Sequence, residues 1–416
     1  MIGRLHFHQK LANAFGVTAL LLFTSSPVLA QSEPASATLD ATDLWNQIRK
    51  KNTDDNPAER DYRKPMRAIT PVIGAKPSAG AMIGVAGNVA FFRGEPATTH
   101  LSSLVVSATY STKHQSSVLG RFILFSKADR WRLDGDNRAQ WTSQNTYGLG
   151  TTTDAVDVVS AKFDFFRIHE TGYRQLTRGL FAGVGLHYDD HSDFRAGDDV
   201  GDEEWADSPF NQYTEAHGLP PDRQISAGPS VSVLFDTRDS SIDPRRGWMA
   251  GASYRRLIKN FLGGSSGWQM IRFENRTYKT LTADRRKHLA FWLFGDFVVA
   301  GTAPYFDLPA TGMDMFGRSG RGYAEGRFRG ERLVYGEAEY RATLTRNGFL
   351  GMVVFLNATT ISNLQNDERL FESAALGAGA GLRVLVNKHS RTNLCFDVGV
   401  GKQGSYGVYL AVQEAF

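Results

Sequence analysis

A single cysteine occurs in the 416 residues, so Cys395 has no partner for an intrachain disulfide. Stability in an oxidising compartment has to come from elsewhere. Long apolar runs are scarce as well. Beyond residue 30 no stretch approaches the ~20 apolar residues that a spanning helix requires, which excludes a helical membrane protein. Charge of one sign is nearly missing: the formal net charge is +4, and loss of Arg4 and Lys10 with a leader leaves +2. That excess is too small to attract nucleic acid. No Gly-rich stretch stands between a strand and a helix as a nucleotide site requires, and 317–322 is loop glycine. No cofactor or metal ion is expected.

What is present points outward from the cytoplasm. Arg4 and Lys10 precede an apolar run over 11–23, and Val28, Leu29 and Ala30 precede Gln31. This reads as a secretory signal peptide over 1–30, to be excluded from the fold. Residues 31–67 form a short periplasmic extension with few large apolar side chains. Leu44, Trp45 and Ile48 would share one side of a helix over 40–51. The segment is either a solvated tail or a helix on the inner leaflet or in the pore. The basic run Arg60, Arg63, Lys64 and Arg67 either is solvated or touches phospholipid headgroups or an acidic partner.

From Ile69 onward the chain alternates. Val231, Val233 and Phe235 oppose Ser232, Asp236 and Arg238. Leu289, Phe291 and Leu293 oppose His288 and Trp292, and Leu394, Phe396 and Val398 oppose Asn393, Cys395 and Asp397. Forty-two glycines and 12% aromatics, with only 42% hydrophobic residues, fit strands that each show lipid a single face. The expected fold is all-β, a transmembrane antiparallel β-barrel over 68–416 with about sixteen strands, placed in the outer membrane. Closure removes the edges that an open sheet would carry. A short first strand would run from Pro71 to Ala75. Long outer connections are expected over 144–157, 189–222 and 301–330, with a tight periplasmic turn over 239–247.

The stretch 320–341 is central. Its first half is too rich in Gly and Arg for a strand, while in its second half Tyr335, Glu337, Glu339 and Arg341 share one face. A loop over 301–330 that folds into the lumen would bring Arg321 to carboxylates on the wall, since a guanidinium there needs partners. A solvated surface loop is the alternative.

These residues resemble the outer-membrane assembly and secretion barrels of the BamA/TamA type, the bacterial surface antigen family. Arg321, Gly322 and Tyr323 resemble the tip of the family's sixth outer loop. Asp236, Arg238 and Asp239, then Pro244 and Gly247, are similar to its Asp-x-Arg-Asp strand and Pro-x-x-Gly turn. The chain's end, from Asn393, resembles the closing hairpin. Leu410, Val412 and the terminal Phe416 resemble the sorting signal on a last lipid-facing strand. The resemblance implies a latch in which Glu337, Glu339, Asn357 and Asp236 serve Arg321. Asn357 stands where the family usually has an aspartate, so it is expected to accept an uncharged bond from Arg321.

The stretch before the barrel is too short for a POTRA module, which implies the POTRA-less branch and a role in inserting or translocating protein or lipid. A passive channel or structural surface antigen is the alternative. Implied partners are outer-membrane lipids and lipopolysaccharide and the assembly machinery for its own insertion; the chain is either a monomer or a homo-oligomer. The export route implies a Gram-negative envelope.

Two clusters invite chemistry. His187, Asp189, Asp190 and His191 would stand at an outer rim, where barrel hydrolases place catalytic groups, but histidines four apart do not share a face of a strand as on a helix. The reading is that the chain is not an enzyme. Asp193, Asp198, Asp199, Asp202, Glu203, Glu204 and Asp207 either bind divalent cations or form a solvated charge run; their spacing matches no EF-hand loop.

Overall fold

The computed structural model describes residues 38–41, 43, 64–76 and 80–416. The predicted signal peptide and most of the 31–67 extension, including Arg60 and Arg63, lie outside the described residues. Sixteen strands succeed one another in one antiparallel sheet. They are β1 (Met66–Lys76), β2 (Gly80–Phe91), β3 (Ser102–Ser111), β4 (Ser116–Phe125), β5 (Trp131–Thr146), β6 (Val159–Thr177), β7 (Leu180–Ala196) and β8 (Arg223–Asp236). Then come β9 (Gly247–Leu257), β10 (Trp268–Thr280), β11 (Lys287–Gly301), β12 (Arg332–Thr343), β13 (Leu350–Ser362), β14 (Ala375–Asn387), β15 (Thr392–Val400) and β16 (Tyr406–Val412). Each pairs with its chain neighbours, and β1 and β16 come alongside each other. The sheet thus curls into a near-closed barrel. Among the described residues no helix is long and apolar enough to cross a membrane.

Period-two alternation sets the two faces. Outward positions are apolar and uncovered: Ile69 is 79% exposed, Val184 69% and Leu356 64%. Inward positions carry the buried charges, among them Arg132, Asp136, Arg167, Asp189, Glu337 and Asp397. Such an arrangement puts hydrocarbon outside and polar groups inside. Leu356 sits at the middle of β13, so Leu356→Arg should cost roughly 2–4 kcal/mol of folding free energy in lipid vesicles. Unfolding titrations in dilauroyl and dimyristoyl bilayers would measure it.

Sixteen is even, so β1 begins and β16 ends at one end of the barrel, called proximal here; the other end is distal. The distal connections include 147–158, 197–222 and 302–331, and the strands leading to them are longer than the sequence suggests. Gln144 belongs to β5, and Asp189 to Ala196 all belong to β7, where polar side chains on both faces hide the strand. The acidic distal loop holds two short helices, α1 (Asp202–Ala206) and α2 (Pro209–Ala216). Ser208 caps α2 by accepting from the Asn211 N–H at 3.2 Å, with Pro209 at its first position, as helix starts favour.

β1 corrects another expectation. It runs eleven residues, beginning at Met66 rather than Pro71, and Pro71 is accommodated because β1 is an edge strand. The β8–β9 connection is no tight turn either. Its ten residues, 237–246, fold across the proximal mouth, where Ser241 Oγ donates to Leu101 O at 2.7 Å and Ile242 packs on Ala90 and Leu101.

Of the predicted 40–51 helix, residues 41 and 43 are described and helical. Asp40 and Asp43 accept from each other's backbone N–H at 2.9 and 3.0 Å, the reciprocal capping that starts helices. Lys388 fixes this start to the β14–β15 turn, donating from Nζ to Asp43 at 2.8 Å and from its backbone to Asp40 at 2.9 Å.

The interior is packed in two places. Near the distal end Phe163, Phe165, Phe210, Trp268, Tyr305 and Phe306 cluster. Beneath them Trp292, Phe294, Tyr323, Tyr335, Ile361 and Phe416 form a second cluster. Roughly 1.5–3 kcal/mol accrues for each large apolar side chain taken out of water.

Candidate functional site

The loop 302–331 enters the lumen because its apolar start has a place to go. Tyr305, Phe306 and Leu308 join the distal cluster. Arg329 returns the chain to the wall, donating to Tyr305 O at 2.8 Å, Leu308 O at 3.3 Å and Gln144 Oε1 at 3.0 Å. Between these anchors Asp314 caps an inner turn through the N–H groups of Phe316, Arg318 and Ser319.

At the tip stands Arg321, whose side chain is fully buried. Its Nη2 donates to Glu337 Oε1 at 2.5 Å and to Glu339, and its Nη1 donates to Asp397 Oδ2 at 2.7 Å. The guanidinium lies 3.7 Å above the Phe355 ring. Burial opposes its charge, but the carboxylates of Glu337, Glu339 and Asp397 outweigh that cost and raise the Arg321 pKa. Three acids on two strands use the planar five-donor fork that only arginine offers.

The tip is also seated by its backbone. Gly322 has φ of +108°, and a Cβ there would lie 2.6 Å from Val400 O, so no other residue fits against β15. Its N–H donates to Tyr409 Oη of β16 at 2.9 Å. Tyr323 Oη donates to Leu376 O at 2.5 Å and accepts from Lys402 N at 2.9 Å.

Charges run on from the tip. Arg341 donates to Glu339, while Arg383 donates to Asp397 at 2.5 Å and to Glu414 at 2.8 Å. The loop is thereby joined to β12, β14, β15 and the residues that follow β16. Arg341 also donates to Phe416 O at 3.2 Å and lies 5.1 Å from its ring centroid.

Glu337 and Glu339 thus meet Arg321, but two of the expected partners do not behave as the sequence suggested. Asp236 lies in β8, far around the wall, and accepts from Arg238 at 2.7 and 2.9 Å and from Arg132 at 3.0 Å. Asn357 does not accept from Arg321; its Nδ2 donates to Arg321 O at 2.9 Å. An amide can supply that N–H and an aspartate cannot. Asp397 takes the ionic role instead. Its inward phase in the 393–397 alternation was the available signal.

The strand-and-turn residues organise the proximal mouth. Asp239 Oδ1 accepts from Arg245 N at 2.9 Å and its Oδ2 from Arg391 at 3.1 Å. Pro244 is buried in the same connection, and Gly247 has φ of +104° with Thr237 O 2.4 Å from where a Cβ would sit. Leu410 and Val412 pair with Phe396 and Leu394 and share their outward face. Phe416 does not continue that row: Gln413 has φ of +77°, the strand stops, and the ring turns inside against Trp292, centroids 5.2 Å apart.

The histidine cluster is no rim site. It lies within β7, facing the lumen. His187 Nε2 bonds Ser230 Oγ at 2.8 Å, Asp189 holds Arg167 at 2.5 Å and His169 at 2.7 Å, and His191 stacks on Phe165 with centroids 4.4 Å apart. Asp190 instead binds Arg223 at 2.6 Å. Among the described residues no group of three or more His, Cys, Asp or Glu side chains is arranged to hold a metal ion.

An apolar-jacketed sixteen-strand barrel whose distal loop is clamped inside by one arginine defines a class of outer-membrane β-barrel. The match to the Omp85 superfamily domain over residues 102–411 places the chain in that superfamily, whose barrels are outer-membrane proteins concerned with insertion or transport. Among solved structures the chain resembles BamA from Haemophilus ducreyi lacking POTRA domains 1–3, at 15% identity and TM-score 0.52, covering 84% of this chain and 69% of that one. It also resembles CdiB from Acinetobacter baumannii and CdiB from Escherichia coli, each at 12% identity and TM-score 0.52. Those likenesses cover 84% and 86% of this chain and 59% and 61% of theirs. The chain therefore spans less than two thirds of either CdiB. No curated protein sequence matches it.

Proposed function

We propose that this barrel inserts or translocates protein or lipid at the outer membrane, using the seam between β1 and β16. One observation carries the reading: the two strands lie side by side, yet among the described residues no ladder joins them, while every other neighbouring pair is laddered. Their lengths do not match, eleven residues against seven. Unpaired backbone facing lipid is costly, so such an edge is a place where a client strand or lipid would enter. The latch beside it, through Tyr409 and Asp397, holds the wall that ends in β16. Under this reading the proximal end is periplasmic, and the apolar band meets outer-membrane lipid and lipopolysaccharide.

The polar, charge-lined lumen favours a second reading, a passive channel. Cysteines introduced singly into β1 and β16, in a Cys395→Ser background, discriminate the two. Oxidised pairs should fail to restore the outer-membrane protein and lipid-asymmetry defects of a deletion strain, and reduction should restore them. Full complementation by the locked barrel, with its conductance unchanged, would sink the seam reading.

A further inference from the structure

The β12–β16 side of the lumen is filled by the clamped loop, whereas the opposite side is not. There β8 and β9 turn Ser230, Ser232, Gly251 and Ser253 inward, side chains too small to reach the loop. They leave a cavity of about 250 Å³ roofed by Phe306 and Met313. That is far more than one water needs.

Arginines ring this space, and nearly all are spoken for. Arg132 bonds Asp134 and Asp236, Arg167 bonds Asp189, Arg272 bonds Asp296 at 2.9 Å, and Arg276 bonds Glu274 at 2.8 Å. Arg255 lines the same cavity, but its Nε is shut off from solvent and has no hydrogen-bond partner among the described residues. In register it lies between Ser230 of β8 and Met270 of β10. Arg272 is two residues farther along β10, inside the reach of a diagonal neighbour. Two guanidinium groups thus stand close, and the acids near them are already engaged: Asp296 is bonded to Arg272, Glu274 to Arg276 and Asp189 to Arg167. Arg255 and Arg272 are half-buried, and a guanidinium held over the cavity with its Nε closed to solvent calls for an acceptor.

We propose that the cavity is a binding site for a small phosphate-type oxyanion, with Arg255 as its charge partner and Arg272 and Ser230 as flanking donors. Donors arriving from three strands suit a tetrahedral oxyanion better than a planar carboxylate, and the Arg255 fork supplies two parallel N–H groups. Asp296, whose Oδ1 has no hydrogen-bond partner among the described residues, and Asp189 are the acids that act on Arg255 and compete with the anion for it. The site is independent of the seam: it stands whether or not β1 and β16 separate.

The test is isothermal titration of the purified full chain in detergent with inorganic phosphate at constant ionic strength. Saturable binding is expected, weakened about tenfold or more by Arg255→Gln and unchanged by Arg256→Gln, which removes the same charge from the outward face of β9. Asp296→Asn keeps Arg255 in place and should tighten binding, so the proposal remains open to refutation even where Arg255→Gln fails to fold. Absence of saturable binding, wild-type affinity in Arg255→Gln, or weaker binding in Asp296→Asn would each overturn it. A parallel titration with glycerol 3-phosphate separates the sources. Affinity at least tenfold above that for inorganic phosphate assigns the site to a lipid headgroup, and equal or lower affinity assigns it to the free ion; both retain the oxyanion site.

Discussion

Arg321→Ala is expected to destabilise the barrel by about 3–5 kcal/mol, the loss typical when one partner of a buried ionic group is removed. Glu337, Glu339 and Asp397 would be left facing one another in a space closed to solvent, with Arg341 and Arg383 as their remaining counter-charges. The loop tip would lose its hold on β12 and β15. Two readouts follow: urea unfolding of the refolded protein, and single-channel current in planar bilayers, which should rise as the loop leaves the lumen. Arg321→Lys should recover part of the stability, because an ammonium restores charge but not the fork. Unchanged currents in Arg321→Ala would count against the loop as a latch.

Phe416→Ala should cost a similar ~3–5 kcal/mol, as truncation of buried aromatics does. The ring is 4% exposed, tilted against Trp292 and 6.2 Å from Tyr278, and its removal opens a hole at the base of the second cluster. Refolding the variant from urea into detergent measures this packing directly, free of any cellular machinery. A variant of wild-type stability in vitro that is absent from the outer membrane in cells would instead assign Phe416 to recognition before folding, the sorting role its position resembles.

The faces of the barrel were legible because lipid enforces a strict period of two: the inward phases of Asp236, Trp292, Glu337 and Asp397 could all be read from their apolar neighbours. Strand ends were not. Toward the distal ends of β5 and β7, as at Gln144 and from Asp189 to Ala196, both faces carry polar side chains and the apolar alternation vanishes. Partner choice was hidden for a different reason. Which acids surround Arg321 depends on where the loop tip descends around a closed wall, a matter of strand order and stagger, so an inward Asp236 and an inward Asp397 look alike along the chain. The turn at Gln413 depends on a single left-handed backbone conformation that no residue type there announces.

Gln413 has a further consequence. Beyond the end of β16 its side chain reaches under β1 and β2 and donates to Ser103 Oγ of β3 at 2.9 Å, a stitch sewn across the gap at the proximal rim only. No comparable thread among the described residues ties the distal ends of the two edges. Two flaps fastened at one hem part from the other, so any parting of this wall is wedge-shaped, widest at the distal face and narrowing to a pivot at Gln413.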